Sequence, residues 1–264
     1  MSIRVVVSGA HGKMGREVLK AVYKDTDLSL VGAVDLKGGD DVGDLIGVGK
    51  TGILVGTMLA KVIEETKPQV LIDFTRPETV MGNVRCAIAL GVRPVVGTTG
   101  FSAADCEEVR ALCAKHGVSA LIAPNFAIGA ILMMKMAVEA AKYLPHVEII
   151  EFHHDQKLDA PSGTALRTAE LIKEARQTIK QGHPAEVEKI PGARGGETDG
   201  MRIHSVRLPG YVAHQEVIFG GLGQTLSIRH DSISRESFMP GVVLAAKKVL
   251  YTTGLTVGLE NLLD

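Results

Sequence analysis

Residues 3–7 are apolar apart from Arg4, and after a glycine-bearing break Val18, Leu19 and Val22 recur at the spacing of one helix face. The pattern predicts a strand, a turn and a helix. A second strand is expected over 28–34. From Val70 the alternation is regular, with strands over 70–74, 94–96 and 118–123 and helices over 79–90 and 102–116. Ser102 followed by Asp105 has the form of a capping box, with Asp in place of the usual Glu. Strands alternating with helices imply a parallel sheet, whose ligands bind beyond the carboxyl ends of its strands. The glycine-rich segment 38–56 is expected to be a surface connection with little regular structure.

The pattern changes in the second half. A helix is predicted over 127–143, with Ile131, Met134, Val138 and Ala141 on one face and Met133, Met134 and Met136 as core fillers. After Pro145 come a strand over 147–152, a helix over 165–179 and a polar connection through Gly182, Pro191, Gly192, Gly195 and Gly196. Strand-like segments over 203–208, 212–219 and 225–228 follow, joined by short turns as in an antiparallel sheet. Residues 238–250 again have helical spacing. The expected fold class is α/β, a Rossmann-type parallel-sheet domain joined to a mixed α+β domain over about 125–234.

Composition narrows the function classes. The 264 residues carry a formal charge of −1, with a pI near 6.8. No general electrostatic case remains for nucleic acid or a membrane surface. No stretch approaches the length of a membrane span, and the first residues lack a basic region ahead of a long apolar run, so a cytoplasmic protein is expected. Cys86, Cys106 and Cys113 fall in predicted helices without Cys-x-x-Cys spacing. Buried free thiols are expected rather than disulfides, and no metal site.

Ser8-Gly9-Ala10-His11-Gly12-Lys13-Met14-Gly15 joins the first strand to its helix. Its G-x-x-G-x-x-G spacing departs from the usual G-x-G-x-x-G, with Ala10 where the first glycine would stand. On that alignment Gly12 lets the backbone approach a pyrophosphate, and Gly15 lets the helix pack closely on the strand. The next strand ends in Asp35, where an acid can accept hydrogen bonds from an adenosine ribose. Together these form a dinucleotide fingerprint, so NADH or NADPH is the expected cofactor. Asp35 favours NADH because a carboxylate repels a 2′-phosphate, yet Lys37 could compensate for NADPH, and no arginine stands in residues 36–39. Two further strand ends carry Gly97-Thr98-Thr99-Gly100 and Ala123-Pro124-Asn125-Phe126, each of which also has ordinary turn chemistry.

The stretch richest in chemistry is Glu151-Phe-His-His-Asp-Gln-Lys-Leu-Asp-Ala-Pro-Ser-Gly-Thr-Ala165. It gathers His153, His154 and Lys157 just before a helix start that Ser162 or Asp159 can cap. The N–H groups of Gly163 and Thr164, at the start of that helix, would favour an anion. Such a set suits a carboxylate-bearing substrate that also gains or loses a proton. The bland alternative is a polar surface loop.

This stretch resembles the pattern E-x-H-H-x-x-K-x-D-A-P-S-G-T-A of the 4-hydroxy-tetrahydrodipicolinate reductase (dihydrodipicolinate reductase) family, and Asp73-Phe-Thr-Arg-Pro77 and the loops above match it in order. The resemblance implies reduction of a cyclic dicarboxylate by NADH or NADPH, in lysine and diaminopimelate synthesis. His153 would be the acid/base and Lys157 the proton donor or charge stabiliser, their microscopic roles inseparable at this level. His154, Gly163 and Thr164 would bind substrate carboxylate. Cofactor would contact residues 9–15, Asp35, Lys37, Gly97, Thr98, Thr99, Ala123, Pro124, Asn125 and Phe126, the last two loops on the nicotinamide side. It further implies a discontinuous nucleotide domain, 1–124 with 235–264, a substrate and tetramerisation domain over 125–234, and a homotetramer. Another two-domain dehydrogenase of a small amino or hydroxy acid would not need the histidine pattern. A dinucleotide-sensing regulator would be expected to add a basic DNA-contacting element, and none is visible.

Overall fold

The computed structural model describes residues 2–263. The chain opens with β1 (Ile3–Ser8), α1 (Lys13–Lys24), β2 (Leu28–Val34), α2 (Val42–Ile46), β3 (Val55–Gly56) and α3 (Leu59–Thr66). It continues with β4 (Val70–Asp73), α4 (Pro77–Ala89), β5 (Arg93–Val96), α5 (Ala103–His116) and β6 (Ala120–Ile122). Val5, Val6 and Val7 are fully buried, as expected of a strand covered on both faces. The capping box is formed: Ser102 Oγ accepts from Asp105 N–H and the Asp105 carboxylate from Ser102 N–H. Cys86 lies in α4 and Cys106 and Cys113 in α5; all three are free thiols, but only Cys113 is fully buried.

Segment 38–56 departs from expectation. Asp41 caps the short helix α2 and accepts from the backbone of Gly43, Thr51 and Gly52 and from the Thr51 hydroxyl, folding the glycine-rich chain around one carboxylate. Those bonds hold the carboxyl at about 2, burial opposing them. Side-chain satisfaction of backbone donors, invisible to periodicity, replaces the missing apolar pattern. Helix α3 was likewise not anticipated.

The second compact unit spans Ala127–Ser237 and the first Met1–Phe126 with Phe238–Asp264. The second contains α6 (Ile128–Ala141), β7 (His146–His153), α7 (Gly163–Ala175), β8 (Gly196–Thr198), β9 (Met201–Arg207), β10 (Ala213–Gly221) and β11 (Gln224–Ser232). In α6, Ile131, Met133 and Met134 are core residues, whereas Met136 is exposed. The sheet order is β11-β10-β7-β9-β8. It is mixed rather than antiparallel, because β9 pairs parallel with β7 and not with β10. Helix α7 supplies the crossover that a parallel pair requires, overriding the hairpin suggested by the turn at Pro209-Gly210.

The chain then forms α8 (Met239–Lys248) and β12 (Leu255–Val257), the latter missed by pattern. The first sheet has the order β12-β6-β5-β4-β1-β2-β3 and is parallel throughout. Ser8 pairs with Val34 and Asp73, Asp73 with Val96, and Val96 with Ile122, so the carboxyl ends of five strands are level. Strand order reverses between β1 and β4, the place where open α/β sheets bind ligands.

Gly9, at a φ of 90°, turns the chain from β1 toward α1. A Cβ on Gly15 would lie 1.9 Å from the Gly9 carbonyl oxygen, whereas one on Gly12 would lie 3.2 Å from it. Gly15→Ala should therefore lose about 3 kcal/mol of stability and Gly12→Ala under about 1 kcal/mol. Urea midpoints of the two variants check this; equal losses would contradict the packing account.

Candidate active site

In the first unit, every cofactor candidate sits at or just past a strand's carboxyl end. A cavity of about 430 Å³ there is lined by Gly9, His11, Gly12, Asp35, Thr75 and Arg76, among others. Asp35 Oδ2 accepts from His11 N–H at 2.7 Å and Oδ1 from Leu36 N–H at 2.7 Å, fixing the carboxylate at the cavity wall with lone pairs to spare. His11 Nε2 stands 3.0 Å from Asp40 Oδ2. Ala10 and Gly15 are buried; Lys13 and Met14 open α1 with Gly15, so their N–H groups precede the first intrahelical bond, from Arg16 N–H to Gly12. The close approach at Gly15 and the open first turn fit a dinucleotide phosphate.

Lys37 is 80% exposed and 3.4 Å from Asp40, and does not line the cavity. Arg76, which the sequence reading assigned no role, does line it. Thr98 is buried and Thr99 exposed, while Ala123 and Phe126 are buried, Asn125 half-buried and Pro124 exposed. The Phe74 ring lies 5.7 Å from that of Phe126.

In the second unit, alternation along β7 puts Val147, Ile149, Glu151 and His153 on its inner face, with Glu151 fully buried. Arg207, at the end of β9, grips Glu151 with both terminal nitrogens, at 2.7 and 2.8 Å, and also donates to the Asp159 carbonyl. His153 Nδ1 lies 2.5 Å from Glu151 Oε2, and Ser162 N–H donates to Oε1 at 3.3 Å. Burial alone would raise the Glu151 carboxyl, but the bonds from His153 and Arg207 prevail and hold it at about 2. Because a carboxylate only accepts, Nδ1 carries the proton and Nε2 is the nitrogen left for chemistry.

Ser162, not Asp159, caps α7, its Oγ accepting from Ala165 N–H at 3.2 Å. Asp159 instead pairs with Lys157 Nζ at 2.6 Å. Lys157 is mostly covered, His154 is exposed, and Gly163 and Thr164 form the first turn of α7. The structure thus ties His153, Ser162 and, through Arg207, the Asp159 carbonyl to Glu151, while Lys157 is held by the Asp159 carboxylate and His154 faces solvent. The sequence of the histidine stretch gave a signal for Glu151, two residues before His153 on a strand, but none for Arg207, which comes from a distant strand.

Two family descriptions cover almost the whole chain. "Dihydrodipicolinate reductase, N-terminus" matches residues 3–126 and "Dihydrodipicolinate reductase, C-terminus" residues 129–263. A relative from Desulfitobacterium hafniense named 4-hydroxy-tetrahydrodipicolinate reductase is 58% identical over 264 residues, covering 99% of both chains. One of the same name from Moorella thermoacetica is 53% identical, over 100% of this chain and 98% of its own. Among solved structures, the dipicolinate-bound dihydrodipicolinate reductase from Paenisporosarcina sp. TG-14 is 46% identical, with a TM-score of 0.89 over 100% of both chains. An amine dehydrogenase from Mycobacterium smegmatis, 17% identical with a TM-score of 0.70 over 98% of this chain and 96% of its own, shares the fold.

The depressed Glu151 carboxyl carries a stability consequence. Its folded value lies below the ordinary 4.5, so its contribution is complete above 4.5 and is lost as pH falls toward about 2. Denaturant midpoints of the wild type and Glu151→Gln should differ at pH 7 and converge across that window. A gap that stays constant would show that the ionised carboxylate is not the stabilising group.

Proposed function

The chain belongs to the dihydrodipicolinate reductase family, and from that premise we propose how its residues carry out the family's reaction. It is an NAD(P)H-dependent oxidoreductase that reduces (2S,4S)-4-hydroxy-2,3,4,5-tetrahydrodipicolinate to (S)-2,3,4,5-tetrahydrodipicolinate with loss of water, a step of lysine and diaminopimelate synthesis. The observation that carries the assignment of roles is the Glu151–His153 bond, which orients one imidazole and leaves its Nε2 open.

Water is lost across two adjacent ring carbons, the hydroxyl from one and a proton from the other, and the bound cofactor would supply hydride to the carbon that bore the hydroxyl. The glycine turn, residues 9–15, binds its pyrophosphate, and Asp35 accepts from its adenosine ribose. The loops at Gly97–Thr99 and Ala123–Phe126 contact the nicotinamide half. His154 and the N–H groups of Gly163 and Thr164 hold substrate carboxylate, as the start of a capped helix favours. His153 exchanges a proton through Nε2, and Lys157 protonates the neighbouring ring carbon or stabilises negative charge developing there. For Lys157 to do so, its ammonium must leave Asp159, an exposed partner that a substrate carboxylate can replace.

The homotetramer implied by family resemblance belongs to the same proposal, as does a cytoplasmic location, which the three free thiols support. No described helix is long and apolar enough to cross a membrane. Light scattering should give the mass of four chains, and a monomer at micromolar concentration would contradict the assembly.

Steady-state kinetics with parallel cofactor titration test the roles. Lys157→Met and His153→Ala should each lower turnover by at least ~10²-fold with cofactor affinity almost unchanged, while His154→Ala should chiefly raise KM for substrate. Near-normal turnover in Lys157→Met, or loss of cofactor binding as its main defect, would leave the histidine stretch a polar loop.

A further inference from the structure

Asp73 closes β4 beside Ser8, at the point where the order of the parallel sheet reverses. Its side chain is fully buried, and its hydrogen-bond partners are all uncharged. Oδ1 accepts from the Thr75 N–H at 3.0 Å, the Thr75 hydroxyl at 2.7 Å and the Thr98 hydroxyl at 3.1 Å. Oδ2 accepts from Asn83 Nδ2 at 2.8 Å, and the same amide reaches Ser8 Oγ at 3.3 Å. Thr98 Oγ1 closes the ring by accepting from Thr75 N–H at 2.9 Å.

Burying a carboxylate among neutral donors is costly, and the rest of β4, Val70, Leu71 and Ile72, fills its surroundings with apolar side chains at no such cost. What the carboxylate adds is direction: four donors converge on it from the ends of β4 and β5 and from α4. Ser8, Thr75 and Asn83 line the cavity beside Asp35, whereas Thr98 belongs to the loop assigned to the nicotinamide half. The next residue reinforces the link. A Cβ on Gly97 would stand 2.1 Å from the Phe74 ring, and one on Gly9 would stand 2.4 Å from the Phe74 carbonyl oxygen, so both loops pack directly on this strand end.

We infer that Asp73 is a positioning residue of the cofactor site, locking the Thr75 segment and the Thr98 loop into one arrangement so that both halves of the dinucleotide meet a preformed surface. The inference rests on the cofactor reading above. It assigns Asp73 no contact with the reacting atoms, and it makes Thr98 act through Asp73 and Thr75.

The test measures binding of NADH and of ADP-ribose, the half without nicotinamide, to full-length wild type, Asp73→Asn, Thr98→Val, Thr98→Ser and the Asp73→Asn/Thr98→Val double variant. Asp73→Asn should weaken both ligands, NADH on the order of tenfold, as for a lost hydrogen bond to a charged group, with little change in kcat at saturating cofactor. Thr98→Val should weaken NADH but not ADP-ribose, Thr98→Ser should restore it, and the double variant should lose less than the product of the single losses. Folded variants with wild-type NADH affinity and only a lower melting temperature, or losses that multiply, would overturn the inference. If Asp73→Asn fails to fold, the Thr98→Val and Thr98→Ser pair still decides, since equal affinities in the two would overturn it. Wild-type protein that bound neither ligand would overturn the cofactor reading itself, a result distinct from all of these.

Discussion

A carboxylate taken out of water must be answered by donors, and Glu151 is answered from three directions at once. Arg207 reaches it from β9, His153 from its own strand and Ser162 from the start of α7. Removing any partner would leave a buried charge short of donors, which costs more than the pair itself contributes. The strand end, the helix start and the imidazole are therefore held as a set. The proposed proton-transfer chemistry inherits that order: the carboxylate fixes Nδ1 as donor and the ring plane with it, while Lys157 stays on the following loop with an exposed partner.

The first unit solves an analogous problem with backbone rather than charge. Gly15 brings α1 onto the β1 turn to a distance no side chain permits, and the level strand ends deliver Asp35, Asp73, Gly97 and Ala123 to one edge of the sheet. That arrangement is general, as its likeness to an amine dehydrogenase at 17% identity indicates. The fold alone therefore does not choose a substrate. On the proposed reading the choice lies in the second unit, where the histidine stretch is joined to the helix start proposed to bind substrate carboxylate.

Much of this was legible in the sequence because it is local. The strand–turn–helix at the amino end, the acid closing β2, the Ser102 cap and the histidine stretch are all written in neighbouring residues. Arg207 was not legible because its partner lies on another strand, and the parallel pairing of β7 with β9 was hidden behind a turn that resembles a hairpin. The fold of 38–56 escaped for a different reason. Its order comes from one aspartate collecting backbone donors, which leaves no periodic trace. β8 and β12, of three residues each, are shorter than any period can reveal. Lys37 shows the converse, a residue whose position in sequence suggested a role that its exposure in the structure does not reinforce.

On the proposal above, water is lost across two adjacent ring carbons, and hydride from the nicotinamide and a proton from this protein are then added to those same two carbons. Reduction with NADH carrying deuterium at the transferable position, followed by NMR of the product, tests it most directly. The account predicts one deuterium at the carbon that bore the hydroxyl, and, with unlabelled NADH in heavy water, solvent deuterium at its neighbour. Cofactor deuterium found at any other ring position, or oxidation of NADH with the hydroxyl retained, would contradict it.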